Sequence, residues 1–153
     1  MVAPESLIDS VSSIKKLLDH GMDWLKQSVL ADFLASGDYS KHLRRIRRSY
    51  AQRLGFLRAA LQSHFGDTEL WGDQGGMHVA WKIPDDCPGA VKVAELAATR
   101  GVGVYPVGHG FSRSFGLSKD HDRVVILGYA AVLENYIQEG IDRIAEALGT
   151  AAQ

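Results

Sequence analysis

The chain has 153 residues, of which 46% are hydrophobic and 23% are charged, and its formal net charge at pH 7 is -1. This length suits one domain with a sizeable apolar core, and the near-neutral charge points to no class of partner. The single cysteine, Cys87, excludes an internal disulfide and a cysteine-based metal cage, so we predict a reducing, cytoplasmic location. The longest apolar run, Val124 to Leu133, is about half as long as a membrane-spanning helix, so we expect no membrane insertion.

Three amphipathic helices are predicted at the start of the chain. The first begins at Pro4, and the second is capped by Asp23 and closed by Gly37. The third runs from about Ser40 to about Phe65, because apolar residues recur there at every third or fourth position. Helices therefore precede every predicted strand.

The hydrophobic period changes to two after the third helix. In "MHVAWKI", every second residue from Met77 to Ile83 is apolar, which predicts a half-buried strand. "TELW", which ends at Trp71, is the predicted partner strand across the "GDQGG" turn. A short helix then follows the "PDDCPG" loop, and we expect Gly101 to end it as a left-handed cap.

The glycine-rich stretch "GVGVYPVGHGFSRSFG", residues 101 to 116, raises the question of a phosphate-binding loop. Its spacing matches neither GxGxxG nor GxxxxGK[ST], and its first glycine ends a helix, whereas a phosphate loop follows a strand and begins a helix. We therefore predict a strand that enters a flexible loop. "RVVILGYA" predicts the next strand, and the last helix has one apolar face, formed by Ile137, Ile141, Ile144 and Leu148.

The order of these elements predicts an α+β fold. Long N-terminal helices are followed by a small sheet of three or four strands, mostly antiparallel or mixed, with further helices packed on it.

Four segments resemble, in this order and at this spacing, the C-terminal part of fold type I aminotransferases: "HLRRIRRSYAQRLGFLRAAL", "QGGMHVAWKIP", "ATRGVGVYPV" and "ILGYAAVLENYIQEGIDRIAEAL". The resemblance is closest to the aminotransferase-like effector domain of MocR-type, GntR-family transcription regulators. It implies that residues 38–153 are the small domain of such a protein. Residues 1–37 resemble the helices that lead out of the large, cofactor-binding domain.

The resemblance also implies what the parent protein binds. Pyridoxal phosphate (PLP) would be held by a lysine, an aspartate and a phosphate cup of the large domain, upstream of this sequence. The chain is then expected to be a C-terminal fragment with no catalytic, cofactor-binding or metal-binding residues of its own, and to pair with the missing large domain or with itself. The parent is expected to be a homodimer that takes an amino-acid-like ligand and binds DNA only through a separate domain.

The sequence leaves open whether the parent is a regulator or a working PLP-dependent aminotransferase, and so whether it is an enzyme. The residues of the motifs "GVGVYP" and "LGYA" favour the regulator. A winged-helix domain encoded upstream would decide the question.

Arg123, at the head of "RVVILGYA", is the residue that we predict to receive the ligand's carboxylate. A guanidinium forms two parallel hydrogen bonds with a carboxylate, and aminotransferases place such an arginine at the start of this strand. In one branch of the family the arginine stands five residues before the strand's glycine, as Arg123 stands before Gly128. In another it stands two residues before, where this sequence has Ile126. The alternative is a surface arginine paired with Asp120 or Asp122.

Several cations lie between Tyr39 and Phe65, in a stretch that contains no acidic residue. They are Lys41, Arg44, Arg45, Arg47, Arg48, Arg53 and Arg58. Such a cluster can follow the phosphates of a nucleic acid. The alternative, which we favour, is a solvated or interdomain helix face whose acidic partners lie on neighbouring elements.

The remaining polar residues do not predict a reaction. The histidines show no close metal-ligand spacing; they are His20, His42, His64, His78, His109 and His121. We expect His78 to lie at a rim or an interface. Ser112 and Ser114 lack a nucleophile elbow and a positioned base, so they are predicted to be loop residues.

Overall fold

The computed structural model describes residues 4–19, 23–108 and 122–149. In chain order it contains a 3₁₀ turn Glu5–Leu7, helices α1 (Ile8–Asp19), α2 (Trp24–Ala35) and α3 (Asp38–Phe65), strands β1 (Leu70–Trp71) and β2 (His78–Lys82), helix α4 (Ala90–Thr99), strands β3 (Tyr105–Pro106) and β4 (Val124–Gly128), and helix α5 (Glu134–Leu148). This order agrees with the prediction. Among the described residues, no helix is long and apolar enough to cross a membrane.

The chain divides into two compact units, Met1–Leu43 and Arg44–Gln153. The predicted division between residues 37 and 38 lies at the start of α3, whereas these two units divide within that helix. The assignment of the two parts to a large-domain exit and a small domain stays a prediction.

The first unit contains α1, α2 and the start of α3. None of its residues 4–18 and 23–43 is buried. The predicted cap of α2 is confirmed, because the Asp23 carboxylate accepts a hydrogen bond from the Lys26 backbone N–H at 3.2 Å. Exposed apolar side chains surround most of α2; they are Trp24, Leu25, Val29, Leu30, Phe33 and Leu34. A helix that is apolar on most sides needs other surfaces to cover it.

The second unit is built on a four-stranded antiparallel sheet in the order β1-β2-β4-β3. In the two central strands, Val79 lies opposite Leu127 and Trp81 lies opposite Val125. All four side chains are buried in the core. The predicted α+β class is therefore confirmed, with an all-antiparallel sheet. Met77, the first residue of the predicted apolar row, is instead 54% exposed, and it lies one residue before β2 begins.

Helices cover one face of this sheet. Their buried residues are Leu54, Leu57, Ala60 and Leu61 of α3, Ala90, Val93 and Ala97 of α4, and Ile137, Ile141 and Ile144 of α5. The predicted apolar face of the last helix is thus confirmed. Gly101 follows α4 with φ of 75°, so the predicted left-handed cap is also confirmed.

One polar contact joins the end of α3 to α5. His64 Nε2 lies 2.7 Å from Asp142 Oδ1, and the contact holds the pKa of Asp142 below its usual value. Gln138 also donates to Asp142 Oδ1 at 2.7 Å. The second unit thus has a polar contact between α3 and α5 in addition to its apolar core.

Candidate functional site

Arg123 lies just before β4 and directs its guanidinium at the loop between β2 and α4. Nη2 donates to the carbonyl oxygen of Pro84 and, at 3.0 Å, to that of Cys87. Nε lies 3.3 Å from Asp85 Oδ1. The side chain is 27% exposed, so it reaches the surface while it holds this loop against the sheet. Asp120, one of its predicted acidic partners, lies outside the described residues.

The loop that Arg123 holds contains the only cysteine. Cys87 is buried, and burial is the main cause that raises the pKa of its thiol. A buried thiol that stays protonated is a poor nucleophile and metal ligand. The contact with Arg123 uses the Cys87 carbonyl oxygen, so the cysteine serves here as part of the loop backbone.

Ile126 occupies the middle of β4, opposite Ala80 of β2 and Tyr105 of β3. Because side chains alternate along a strand, Ile126 faces away from the core that Val125 and Leu127 enter. Trp71 of β1 also pairs with Ala80. These four residues form one row across the open face of the sheet. An isoleucine side chain has no hydrogen-bond donor and no charge, so a ligand carboxylate at this point of the row would lack a charged partner there.

His78 lies on the same open face, at the end of β2, and is exposed. It pairs across the sheet with Gly128. A Cβ atom on Gly128 would come 3.2 Å from His78 Cδ2, so the imidazole lies directly against the glycine backbone. A larger residue at position 128 would displace the ring. This position on an exposed face agrees with the prediction for His78.

The basic cluster of α3 is partly neutralised by acids elsewhere in the chain. Arg53 donates to the Ala130 carbonyl oxygen, and its Nε lies 3.5 Å from Glu134 Oε1. Arg58 pairs with Asp73 and lowers the pKa of that carboxyl group. Both acids lie on other elements, as the favoured alternative predicts. Arg44, Arg47 and Arg48 are exposed.

We expect the chain to bind duplex DNA only weakly and without sequence preference. The exposed Arg44, Arg47 and Arg48 attract phosphates by charge alone, and salt screens that attraction. In an anisotropy titration at physiological salt, Kd should lie above roughly 10⁻⁶ M and rise further when all three arginines become glutamine. The paired Arg100 is the control position, because Arg100→Gln should change Kd less. Tight, sequence-selective binding that the triple variant loses would contradict this expectation.

Four of the six described lysines are paired with carboxylates. Lys26, Lys41, Lys82 and Lys92 each lie 2.8 to 3.1 Å from a carboxylate. A PLP site needs a lysine that can reach the cofactor, together with groups for its pyridine nitrogen and phosphate. Lys119 lies outside the described residues. That the cofactor's anchors come from another part of the parent protein stays a prediction.

Some of the serines and histidines considered from the sequence cannot be located. Ser112, Ser114, His20, His109 and His121 lie outside the described residues. Within 4–19, 23–108 and 122–149, no three His, Cys, Asp or Glu side chains are grouped to hold a metal ion.

A cleft that the sequence patterns do not predict opens between α5, the end of β4 and residues 101–104. Its volume is about 380 Å³, and four glycines contribute to its walls: Gly101, Gly103, Gly128 and Gly140. The glycine spacing "GVG", which supplies two of these glycines, was the one feature of the sequence that pointed to the cleft. It could not identify the cleft because the facing residues come from β4 and α5, far away along the chain.

The chain matches no family model. It is 28% identical over 149 residues to the uncharacterized HTH-type transcriptional regulator YhdI of Bacillus subtilis strain 168. It is also 28% identical over 148 residues to MocR, the probable rhizopine catabolism regulatory protein of Rhizobium meliloti. Each alignment covers 96% of the chain, which spans 30% of the length of YhdI and 29% of that of MocR.

The fold also matches solved structures of aminotransferases. LysN, the α-aminoadipate aminotransferase of Thermus thermophilus, superposes with a TM-score of 0.74 at 25% identity. The superposition covers 97% of this chain and 36% of LysN, whose structure contains N-(5'-phosphopyridoxyl)-L-leucine. The chain is therefore homologous over nearly all of its length to MocR-type HTH regulators, and its fold is that of part of a PLP-dependent aminotransferase.

Proposed function

We propose that this chain is the C-terminal part of the aminotransferase-like, effector-binding domain of a MocR/GntR-type transcription regulator of the cytoplasm. The observation that carries the proposal is the similarity to HTH-type regulators over 96% of the chain. In the intact, homodimeric parent, PLP and an amino-acid-like ligand bind to this domain and bias the affinity of a separate winged-helix domain for DNA. A ligand changes that affinity only by as much as it prefers one of the two states.

In this proposal the chain contributes the ligand-facing side of the small domain. Arg123 is at the start of β4 and already donates to two loop carbonyls and lies beside Asp85. A guanidinium has five N–H donors, so it can hold this loop and a ligand carboxylate together. Ligand binding would thereby be coupled to the position of the loop between β2 and α4.

The alternative proposal is a working aminotransferase. It is supported by the fold shared with LysN at a TM-score of 0.74. The two proposals differ in what accompanies this domain in the parent. A winged helix encoded upstream favours the regulator, and its absence together with turnover of an amino acid favours the enzyme.

We expect this chain alone to form no functional covalent link to PLP. Four of the described lysines pair with carboxylates and the other two lie exposed on α1. The family resemblance places the cofactor lysine, the partner of the pyridine nitrogen and the phosphate cup upstream of this chain. The test is to mix the purified chain with PLP, reduce with borohydride and map the labelled peptides by mass spectrometry. The intact parent, treated in the same way, should be labelled once, at a lysine upstream of this chain. Stoichiometric labelling of one lysine in the isolated chain, with measurable transamination, would contradict the expectation.

We expect Arg123→Ala in the intact parent to weaken the binding of an amino-acid ligand more than tenfold. Loss of a charge-assisted pair of hydrogen bonds costs more than about 1.5 kcal/mol, which corresponds to that factor. Calorimetric titration of wild type and variant measures the effect. Arg100→Ala is the matched control, because Arg100, at the C-terminal end of α4, pairs with Glu146 of α5 and not with the loop that Arg123 holds, so affinity should be unchanged.

The control for folding is also needed, since Arg123→Ala releases the Pro84 and Cys87 carbonyls from their donor. Affinities are therefore compared only under conditions where both proteins remain folded. Equal affinity in wild type and Arg123→Ala would eliminate Arg123 as the anchor and favour the register with Ile126, in which the carboxylate has no arginine.

A further inference from the structure

We propose that the cleft between α5, the end of β4 and residues 101–104 binds a small apolar carboxylate, either aromatic or branched, with the carboxylate group at Arg143. This inference goes beyond the proposed function. The cleft lies at the end of β4, whereas Arg123 precedes the strand, and five extended residues separate the two positions by roughly 17 Å.

The inner walls of the cleft are apolar side chains of the core. They include Leu57 of α3, Leu127 of β4, and Ile137 and Ile141 of α5, and none of these is more than 6% exposed. This cleft leaves about 380 Å³, which is within the size range of sites for small molecules. The space suits an aromatic ring or a branched alkyl chain.

The backbone at one edge of the cleft has unused hydrogen-bonding groups. The ladder between β3 and β4 ends at the pair Tyr105 and Ile126. In an antiparallel ladder, every second residue turns its N–H and C=O groups toward the same neighbour, so Gly103 and Gly128 would form the next pair. No hydrogen bond joins these two glycines in the described residues. Their N–H groups are available to an oxygen of a ligand.

Arg143 supplies the charge. Its Nη1 donates to the Arg100 carbonyl oxygen at 3.2 Å, and its Nη2 to Glu139 Oε1 at 2.5 Å. These contacts hold the guanidinium against the wall of the cleft, where a Cβ on Gly101 would lie 3.6 Å from Nη1. Both Glu139 and Arg143 are about half exposed, and such pairs within one helix are weak. A carboxylate can therefore share or replace Glu139 as the partner of Arg143.

The test uses phenylacetate, and its neutral isostere phenylacetamide, with the 153-residue chain in ¹H–¹⁵N NMR titrations. Phenylacetate should shift the amide signals of residues 101–104 and 127–129 and should bind at least about tenfold more tightly than phenylacetamide. Arg143→Gln should abolish this difference by weakening phenylacetate alone. An arginine with only a structural role would not distinguish the two probes.

Gly140→Leu should block the cleft. A Cβ at Gly140 would meet only Val102 Cγ1, at 4.0 Å, so the backbone accepts the change while the longer side chain enters the space. We expect the affinity for phenylacetate to fall more than about tenfold. Asn135→Leu, on an exposed position of the same helix, is the matched control and should bind normally.

Three results would overturn the proposal. The first is an affinity for phenylacetate that Gly140→Leu leaves unchanged, and the second is equal affinity for phenylacetate and phenylacetamide. The third is the absence of amide shifts at about 10 mM phenylacetate, a concentration well above the Kd of a millimolar site. If Gly140→Leu loses the chemical-shift dispersion of the folded protein, the proposal is tested by Arg143→Gln alone. The affinities of both probes for wild type and for Arg143→Gln are then compared.

Discussion

Trp81→Ala is expected to lower the free energy of unfolding by about 3–5 kcal/mol, the cost of removing a large aromatic side chain from a packed core. Trp81 is 0% exposed, in a central strand, and its ring lies 4.9 Å from that of Phe65 at the end of α3. The variant therefore removes an aromatic contact between the sheet and the longest helix, in addition to the packing of Trp81 in the core. Urea unfolding followed by circular dichroism measures the change.

Two further variants make this prediction specific. Trp81 Nε1 is buried without a hydrogen-bond partner in the described residues, so Trp81→Phe should cost much less, because it keeps an aromatic ring and removes the unpaired N–H. Trp71→Ala, at a 36% exposed position of the same sheet, should cost less than about 1 kcal/mol. Equal losses for Trp81→Ala and Trp71→Ala would show that the core is not packed as described.

The second large effect is self-association of the isolated chain through α2. Leu25, Val29 and Phe33 lie on one side of this helix and are 57%, 60% and 38% exposed. Large apolar patches on monomers mark surfaces that other chains cover, and burial of each such side chain contributes about 1.5–3 kcal/mol. We expect sedimentation equilibrium to show dimers or larger species. A variant with serine at all three positions should weaken association at least about 100-fold.

The control for this experiment is Gln27→Ser, which changes a polar residue on the same helix and should leave association unchanged. A monomeric wild type at high concentration would contradict the prediction. So would a serine variant that associates as strongly as wild type, because another surface would then form the contact.

The local order of the fold could be predicted from the sequence because its signals are local. Period-three-to-four spacing predicted α3 and α5, alternation predicted β2, and Asp23 and Gly101 were identified as caps from residue type and position alone. Met77 was the exception, since alternation does not say at which residue of the row burial begins. Pairing partners, and the central place of β4 between β2 and β3, depend on contacts between segments far apart in the chain.

The candidate site divides in the same way. The sequence by itself determined the aminotransferase-like resemblance, the α+β class and the position of Arg123 before its strand, because each depends on local patterns and on their order along the chain. Only the tertiary structure decided that Arg123 holds the loop at Pro84 and Cys87, and that Arg53 and Arg58 find their acids on other elements. It also formed the cleft at Arg143. The physical reason is that hydrogen-bond and packing partners are chosen by distance in space, which chain order does not encode.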